Sequence, residues 1–271
     1  MSPPQSTAKL RLTWQFLFTL VMFAFMYLPV LVLAFFSFNN SPFSATWEGF
    51  TLQWYVRMFN DARILSALQD SLSVAILAVA ISAVLGTLMA VGLAKYYFPG
   101  KGLYQGMAYL PLIIPDIAIA VATLVFLASV AIPLSLGTVV AAHVVFCIAY
   151  IGLVVSTRLA GMNPYLEEAA LDLGATPTQA FIKVLMPELM PAIVSGCLLA
   201  FVLSMDDLLI SSFTAGGGVT TLPMEIYSRV RTGVKPDINA LSVVLILASG
   251  ALAFAAEYIR MRGDQRRLNK L

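Results

Sequence analysis

The chain has 271 residues, 60% of them hydrophobic and 11% charged, with a formal net charge of +2. A soluble domain carries about 25% charged residues, so a water-soluble globule and a disordered chain are both excluded. Cys147 and Cys197 stand inside long apolar runs, which points to small core- or lipid-facing residues and to neither a disulfide framework nor a metal site.

A helix needs about 20 mostly apolar residues to cross the hydrocarbon layer, and six windows reach that length: 14–38, 72–94, 107–130, 137–157, 190–213 and 240–259. Lys9 and Arg11 precede the first window. It is too long for a secretory signal and lacks a small-x-small cleavage site, so it reads as a retained anchor. Six spans place both termini on one side. With the N-terminus inside, the inner segments hold 11 Lys and Arg, from Lys9 and Arg11 through Lys95, Lys101, Arg158 and Lys183 to the basic tail. The outer segments hold 5: Arg57, Arg63, Arg229, Arg231 and Lys235. This bias predicts cytoplasmic termini, outer loops at 39–71 and 214–239, and an inner loop at 158–189. No repeat is visible, and the chain reads as one membrane domain, all-α, with a basic tail suited to anionic lipid.

In the first outer loop Trp47, Trp54 and Tyr55 are expected to anchor at the membrane interface. The third window carries Pro111 and Pro115 just ahead of Asp116. Each proline removes a helix amide, and broken helices at membrane depth are tolerated where they line a cavity or are wrapped in protein. Asp116 is therefore either a pathway residue or a cap on the resuming helix. His143, in the fourth window, reads as a packed, neutral histidine before a proton relay.

The inner loop differs from everything around it. Asn163 suits the cap of a helix opening at Pro164, and Gly174 the left-handed residue that closes it. Leu166, Ala169, Ala170 and Leu173 then share one face. Thr176, Pro177 and Gln179 predict a second capped helix, ended by Pro187. Two short capped helices meeting at a glycine make a rigid knob fit for a partner's groove, with Glu168 free to bond across the bend or to that partner.

The fifth window contains Asp206 and Asp207 in Leu-Ser-Met-Asp-Asp-Leu-Leu-Ile-Ser-Ser-Phe, with no basic neighbour in sequence. A carboxylate at mid-bilayer costs about 2.5–3.5 kcal/mol on insertion scales, so each needs a partner or water. Neighbours on a helix point about 100° apart, which lets one face a pathway while the other bonds inside the bundle. Alternatively both are structural, held by hydroxyls such as Ser204 and Ser211. Asp116, Asp206 and Asp207, with no Lys or Arg inside the windows, favour a cationic cargo. In the second outer loop Gly216 to Gly218 read as flexible, without the lysine and serine of a phosphate loop, and 222–230 reads as a short helix.

Glu168-Ala169-Ala170, three residues, Gly174, nine residues and Val184-Leu185-Met186-Pro187 resemble the EAA loop of permease subunits of bacterial ABC importers. Val184 and Met186 replace that pattern's Ile and Leu. The resemblance implies a type I importer (MetI-like) permease fold in the inner membrane. It also implies that Glu168, Ala169, Ala170, Gly174 and Pro187 belong to a loop coupled to a cytoplasmic ATPase. The Asp206–Asp207 run, Thr-Thr-Leu-Pro from Thr220, Lys-Pro-Asp-Ile-Asn-Ala from Lys235, Pro115-Asp116-Ile117 and Tyr27-Leu28-Pro29 through Ser37-Phe38-Asn39 are similar to polyamine importer permeases. This implies a putrescine or spermidine cargo, a second permease, two ATPases and a periplasmic binding protein. Asp206, Asp207 and Asp116 become candidates for the substrate pathway. No catalytic constellation is present; the chain is expected to bind no cofactor, with ATP and magnesium held by the ATPase. The alternatives are another small cation as cargo or an ion-coupled secondary transporter, which is expected to show an internal repeat.

Overall fold

Among the residues that the computed structural model describes, 14–41, 46–233 and 236–268, regular structure is helical, apart from one isolated bridge between Asn39 and Phe50. Lys9, Arg11, Lys235 and Lys270, which carry part of the charge asymmetry, lie outside the described residues. In chain order the helices are α1 (Trp14–Phe36), α2 (Gln53–Phe59), α3 (Ala62–Lys95), α4 (Lys101–Tyr109), α5 (Asp116–Ser129), α6 (Leu136–Ala160), α7 (Leu166–Asp172), α8 (Pro177–Ala180), α9 (Met186–Asp206), α10 (Leu209–Thr214), α11 (Leu222–Thr232) and α12 (Pro236–Leu268). Five helical stretches are long and apolar enough to cross a membrane. The stretch Lys101–Leu112 together with α5, bent by 106°, makes a sixth. Up to six stretches of the described residues thus have the length and apolarity of a span, the third of them bent between Leu112 and Asp116.

Two compact units divide the chain, Met1–Met58 with Gly233–Val244, and Phe59–Thr232 with Leu245–Leu271. In the first, α1 is apolar apart from Gln15 and Thr19 near its start, and buries none of its residues within the chain. The segment after it is organised by Asn39, whose side chain donates to Thr46 O and accepts from the amides of Ser41 and Glu48. Trp54 is buried, its indole N–H donating to Asn39 O at 2.6 Å, and Tyr55 Oη bonds Ser37 Oγ at 2.8 Å. The expected interfacial role fails for Trp54, which is buried with its polar tip closing the loop, while Tyr55 is half-buried. Trp47 stacks on Phe35 and stays part-exposed.

The second unit is built on α3, α6 and α9, which pack against one another around Val74, Ala78, Ala90, Val139, Cys147, Ile151, Leu189 and Ala200. Lipid offers no hydrophobic drive for helix pairing, so close contact depends on small residues. Along α3 the buried positions are mostly small, Ala67, Ser71, Ala75, Ala78, Ser82, Gly86 and Ala90. A Cβ at Gly86 would lie 3.0 Å from Ile148 O and 3.2 Å from Gly152 N. That pair of glycines lets the α3 and α6 backbones touch.

Helix α3 begins ten residues before the expected window. Its 34 residues extend about 51 Å, against about 30 Å of hydrocarbon, so the charged first turns project beyond it. Asp61 caps this helix through the amides of Arg63 and Ile64. Helix α11, matching the predicted 222–230 helix, is fastened there: Arg229 bonds Asp61 at 2.8 Å and Glu225 at 2.7 Å. The amide of Leu222 bonds Ser71 Oγ, and that of Thr220 bonds Asp70. Gly216 was expected to be flexible, but it presses on the chain at Leu134, whose carbonyl oxygen would sit 1.9 Å from an added Cβ.

Pro187 does not end a helix. A π turn, Phe181–Leu185, joins α8 to α9, so that Pro177–Asp206 is one helical stretch of 30 residues. The amide of Met186 reaches back to Phe181 O. This wider turn re-registers the ladder where Pro187 supplies no N–H. The fifth window is also corrected, since α9 stops at Asp206 and the chain turns at Asp207 and Leu208 before α10.

Candidate functional site

The loop between α6 and α9 is the first candidate. Asn163 accepts the Tyr165 amide at 3.0 Å, but the helix is regular only from Leu166. It ends as expected at Gly174, with φ +86°, where Gly174 N bonds Leu171 O and Ala175 N bonds Ala170 O. This double bond satisfies the last carbonyls of α7 and fixes the bend. Thr176 Oγ1 accepts from Gln179 N while Gln179 Oε1 accepts from Thr176 N, the reciprocal box expected from the sequence.

The predicted apolar face is only partly packed within the chain, with Leu166 half-buried. Ala170 is buried, whereas Leu173 is 89% and Tyr165 66% exposed, and Glu168 and Ala169 are exposed as well. Glu168 makes no hydrogen bond or ion pair among the described residues. Its neighbour Glu167 forms an ion pair with Lys95 at the end of α3, and Lys95 also lies over the Phe181 ring. At the other end of the loop Arg158 Nη2 meets Glu188 Oε2 at 3.3 Å and its Nε donates to Glu188 O. The knob is thereby held rigidly while it presents an unsatisfied carboxylate beside exposed apolar side chains.

The second candidate lies at the far end of α9. Asp207, just past its last residue, takes an extended backbone (ψ 121°) and turns its carboxylate onto α10. Oδ1 accepts from Ile210 N at 3.2 Å; Oδ2 accepts from Ser211 N at 2.7 Å and Ser211 Oγ at 2.8 Å. The Nε2 of His143, from α6, lies 3.2 Å from the same oxygen, and its Nδ1 lies 2.7 Å from Ser204 Oγ. The imidazole is fully buried, against Phe146. Because Ser211 spends its proton on Asp207, Nε2 is the donor toward that carboxylate, and Nδ1 is left to accept from Ser204. His143 is thus the packed histidine expected, and its carboxylate partner, 64 positions away in sequence, is now visible. Ser204 and Ser211 do hold the cluster, one through the imidazole and one directly.

Asp206 behaves differently. It is exposed at the end of α9 and makes no hydrogen bond or ion pair among the described residues. It continues the exposed face of α9 that carries Leu199 and Leu203. Asp116 is also exposed, as the first residue of α5 after Pro115. There its charge favours the helix N-terminus without accepting a cap bond. Asp206 and Asp207 therefore share a turn but not a task. The signal that could have revealed the joint is the pair of serines, seven residues apart, flanking the aspartates.

Residues 82–267 match the family described as "Binding-protein-dependent transport system inner membrane component". The chain is 40% identical over 268 residues to the putrescine transport system permease protein PotI of Escherichia coli K12, covering 96% of this chain and 95% of that one. It is 37% identical to the spermidine/putrescine transport system permease protein PotC of the same organism, over 89% and 92% of the two chains. Among solved structures, a bacterial ABC transporter that imports the acidic polysaccharide alginate aligns with TM-score 0.66 at 16% identity, covering 92% of this chain and 94% of that one. The inward-facing MetNI methionine ABC transporter aligns at 0.59 and 20% identity, covering 79% and 99%. At these identities the likeness shows the fold, that of ABC importer permeases.

Proposed function

The chain belongs to the family of inner membrane components of binding-protein-dependent transport systems, and from that premise we propose that it is a permease subunit of an ATP-driven polyamine importer, with putrescine as its principal cargo. The observation that carries the cargo is the 40% identity to a putrescine permease along nearly the whole chain. In this reading a second permease completes the pathway, two cytoplasmic ATPases hydrolyse ATP with magnesium, and a periplasmic binding protein delivers the substrate. Both termini are cytoplasmic. This chain supplies no hydrolytic chemistry.

The geometry supports a mechanism. The loop carrying Glu168, Ala169, Ala170 and Gly174 seats in a cleft of the ATPase, its rigidity coming from the caps at both helices. Beyond the bend, α8, the π turn with Pro187, and α9 form one 30-residue stretch ending at Asp206, about 45 Å long at helical rise. A displacement applied at the ATPase is carried along this rod to the level of Asp206. A polyamine carries two or more ammonium groups. Exposed carboxylates such as Asp206 and Asp116 replace part of their hydration along the route.

The test is reconstitution of the complete importer in proteoliposomes, reading accumulation of labelled putrescine. ATP-dependent uptake that vanishes when ATPase or binding protein is left out supports the proposal. Uptake driven by an ion gradient alone would identify a secondary transporter instead, and ATP-dependent uptake of a different small cation in preference to putrescine would move the cargo.

A further inference from the structure

The cytoplasmic loop absorbs Glu168 and Gly174, but the proposed function gives no work to His143, the chain's single histidine. We infer that the adjacent aspartates divide their roles: Asp207 is a joint closed by His143, and Asp206 is the cation-facing carboxylate that this joint aims. His143 is on this account a positioning residue acting through the turn. The inference rests on the cationic cargo proposed above.

Three observations carry it. First, the Asp207 carboxylate is saturated by the two amides, the Ser211 hydroxyl and His143 Nε2, which leaves it little capacity to exchange water for a passing ammonium. Second, those donors come from α6 and α10, so the carboxylate sets where α9 stops and how the chain turns. Removing the imidazole would release the Asp207 end of the turn from α6, leaving the bond from Thr138 Oγ1 to Thr214 O at the other end of α10. Third, Asp206 follows Leu199 and Leu203 on a face of α9 that the chain itself leaves uncovered. A carboxylate at the end of a spanning helix, with no partner among the described residues, is better placed toward water than toward hydrocarbon. That face is therefore directed at the aqueous route and the second permease rather than at lipid. The long rod of α9 then ends in a hinge fixed to α6, and motion of the rod changes the direction of one free charge.

The test uses the full importer in proteoliposomes and has two arms. In the first, Asp206→Cys and Asp207→Cys are made in a chain whose Cys147 and Cys197 are replaced by Ala, and both are exposed to a membrane-impermeant thiol reagent. Labelling at 206 with protection at 207 is expected. Equal labelling of the two overturns the division whatever the cargo is. In the second, KM and kcat for putrescine are measured. Asp206→Asn is expected to raise KM about tenfold or more, the scale of one lost charge-assisted contact. His143→Leu is expected to raise KM comparably, with no further rise in the double variant, because coupled residues do not add. His143→Gln, which keeps an N–H near the Nε2 position, restores most of the affinity. Multiplying effects, or an unchanged KM in His143→Leu, overturn the positioning role. Should His143→Leu fail to assemble, Ser204→Ala removes only the Nδ1 partner, and its KM rise must appear in the native background and vanish with Asp206→Asn. Cysteine variants that label as expected, beside a wild-type complex that takes up no putrescine, refute the polyamine reading and leave the joint standing.

Discussion

Lys95, in the last turn of α3, is ion-paired with Glu167, in the first turn of α7, and its ammonium lies 5.9 Å from the centroid of the Phe181 ring. One side chain thus ties the end of a spanning helix to both halves of the loop proposed to meet the ATPase. The pair is part-exposed, so its contribution to stability is small, ~0.2–1 kcal/mol. Its geometric role is larger. Lys95→Glu is expected to leave Tm in detergent within about a degree or two while raising the ATP hydrolysed per putrescine imported. The reversed pair, Lys95→Glu with Glu167→Lys, should recover the coupling ratio. Failure of the reversed pair to recover it, with expression equal, would show that the tether is not what matters at this corner.

The contact between α3 and α6 makes a ranking of two glycine variants. A Cβ at Gly86 meets Ile148 O and Gly152 N, both backbone atoms, which cannot move without separating the helices. A Cβ at Gly152 meets the tip of Met89 at 2.4 Å, a flexible end that can rotate away. Gly86→Ala is therefore expected to cost about 1–3 kcal/mol, the usual range for overpacking, and Gly152→Ala distinctly less. Thermal unfolding of the purified variants in one detergent checks the order. The reverse order would mean that the helices separate easily and that Met89 is the rigid element.

What the sequence made legible follows from distance along the chain. The Thr176–Gln179 box and the Gly174 bend were readable because each involves groups within a few residues of one another, where side-chain chemistry alone decides the backbone. The spans were readable because length and apolarity suffice. The start of α3 was missed because Arg63, Gln69 and Asp70 lower the hydropathy of a helix that simply continues out of the hydrocarbon. Pro187 was misread because a π turn, which no residue pattern announces, carries the helix past it. The His143–Asp207 contact joins two helices through a tertiary meeting, and only the flanking serines hinted at it. Leu166 and Leu173 follow the right periodicity, but periodicity does not say that Leu173 stays exposed.

At the start of α3, Asp61 gives a pH dependence. Partial burial acts to raise its carboxyl; the hydrogen bond from Arg229 and those from the Ile64 and Arg63 amides outweigh it and hold the group below its ordinary value. A folded pKa below the unfolded one means that the stabilisation is fully present above the unfolded value of about 3.9 and is lost as pH falls through the folded value. Asp61→Asn is expected to lower stability at pH 7 by ~0.2–1 kcal/mol. The difference from wild type should stay constant down to about pH 5 and close at lower pH. A gap that widens on acidification would show that Asp61 is not the group titrating there.

Gly174 offers the sharpest separation of folding from coupling. Its φ of +86° lies where a branched side chain is resisted, at about 1 kcal/mol or more. No atom lies within 4 Å of an added Cβ, so the penalty is conformational and not steric. Gly174→Val is far from the α3–α6–α9 packing, and the protein is expected to insert and to hold its second permease normally. What changes is the angle between α7 and α8, because the pair of bonds from Gly174 N and Ala175 N no longer closes. The ATPase should then hydrolyse ATP without driving α9, and uptake should fall by tenfold or more, on the order of the loss expected when a driven helix goes slack by more than 1.4 kcal/mol. Gly174→Asn, which tolerates the left-handed region, should retain much of the uptake. Equal loss in both variants would assign the effect to side-chain bulk at the ATPase surface, and normal transport by Gly174→Val would remove the bend from the coupling path.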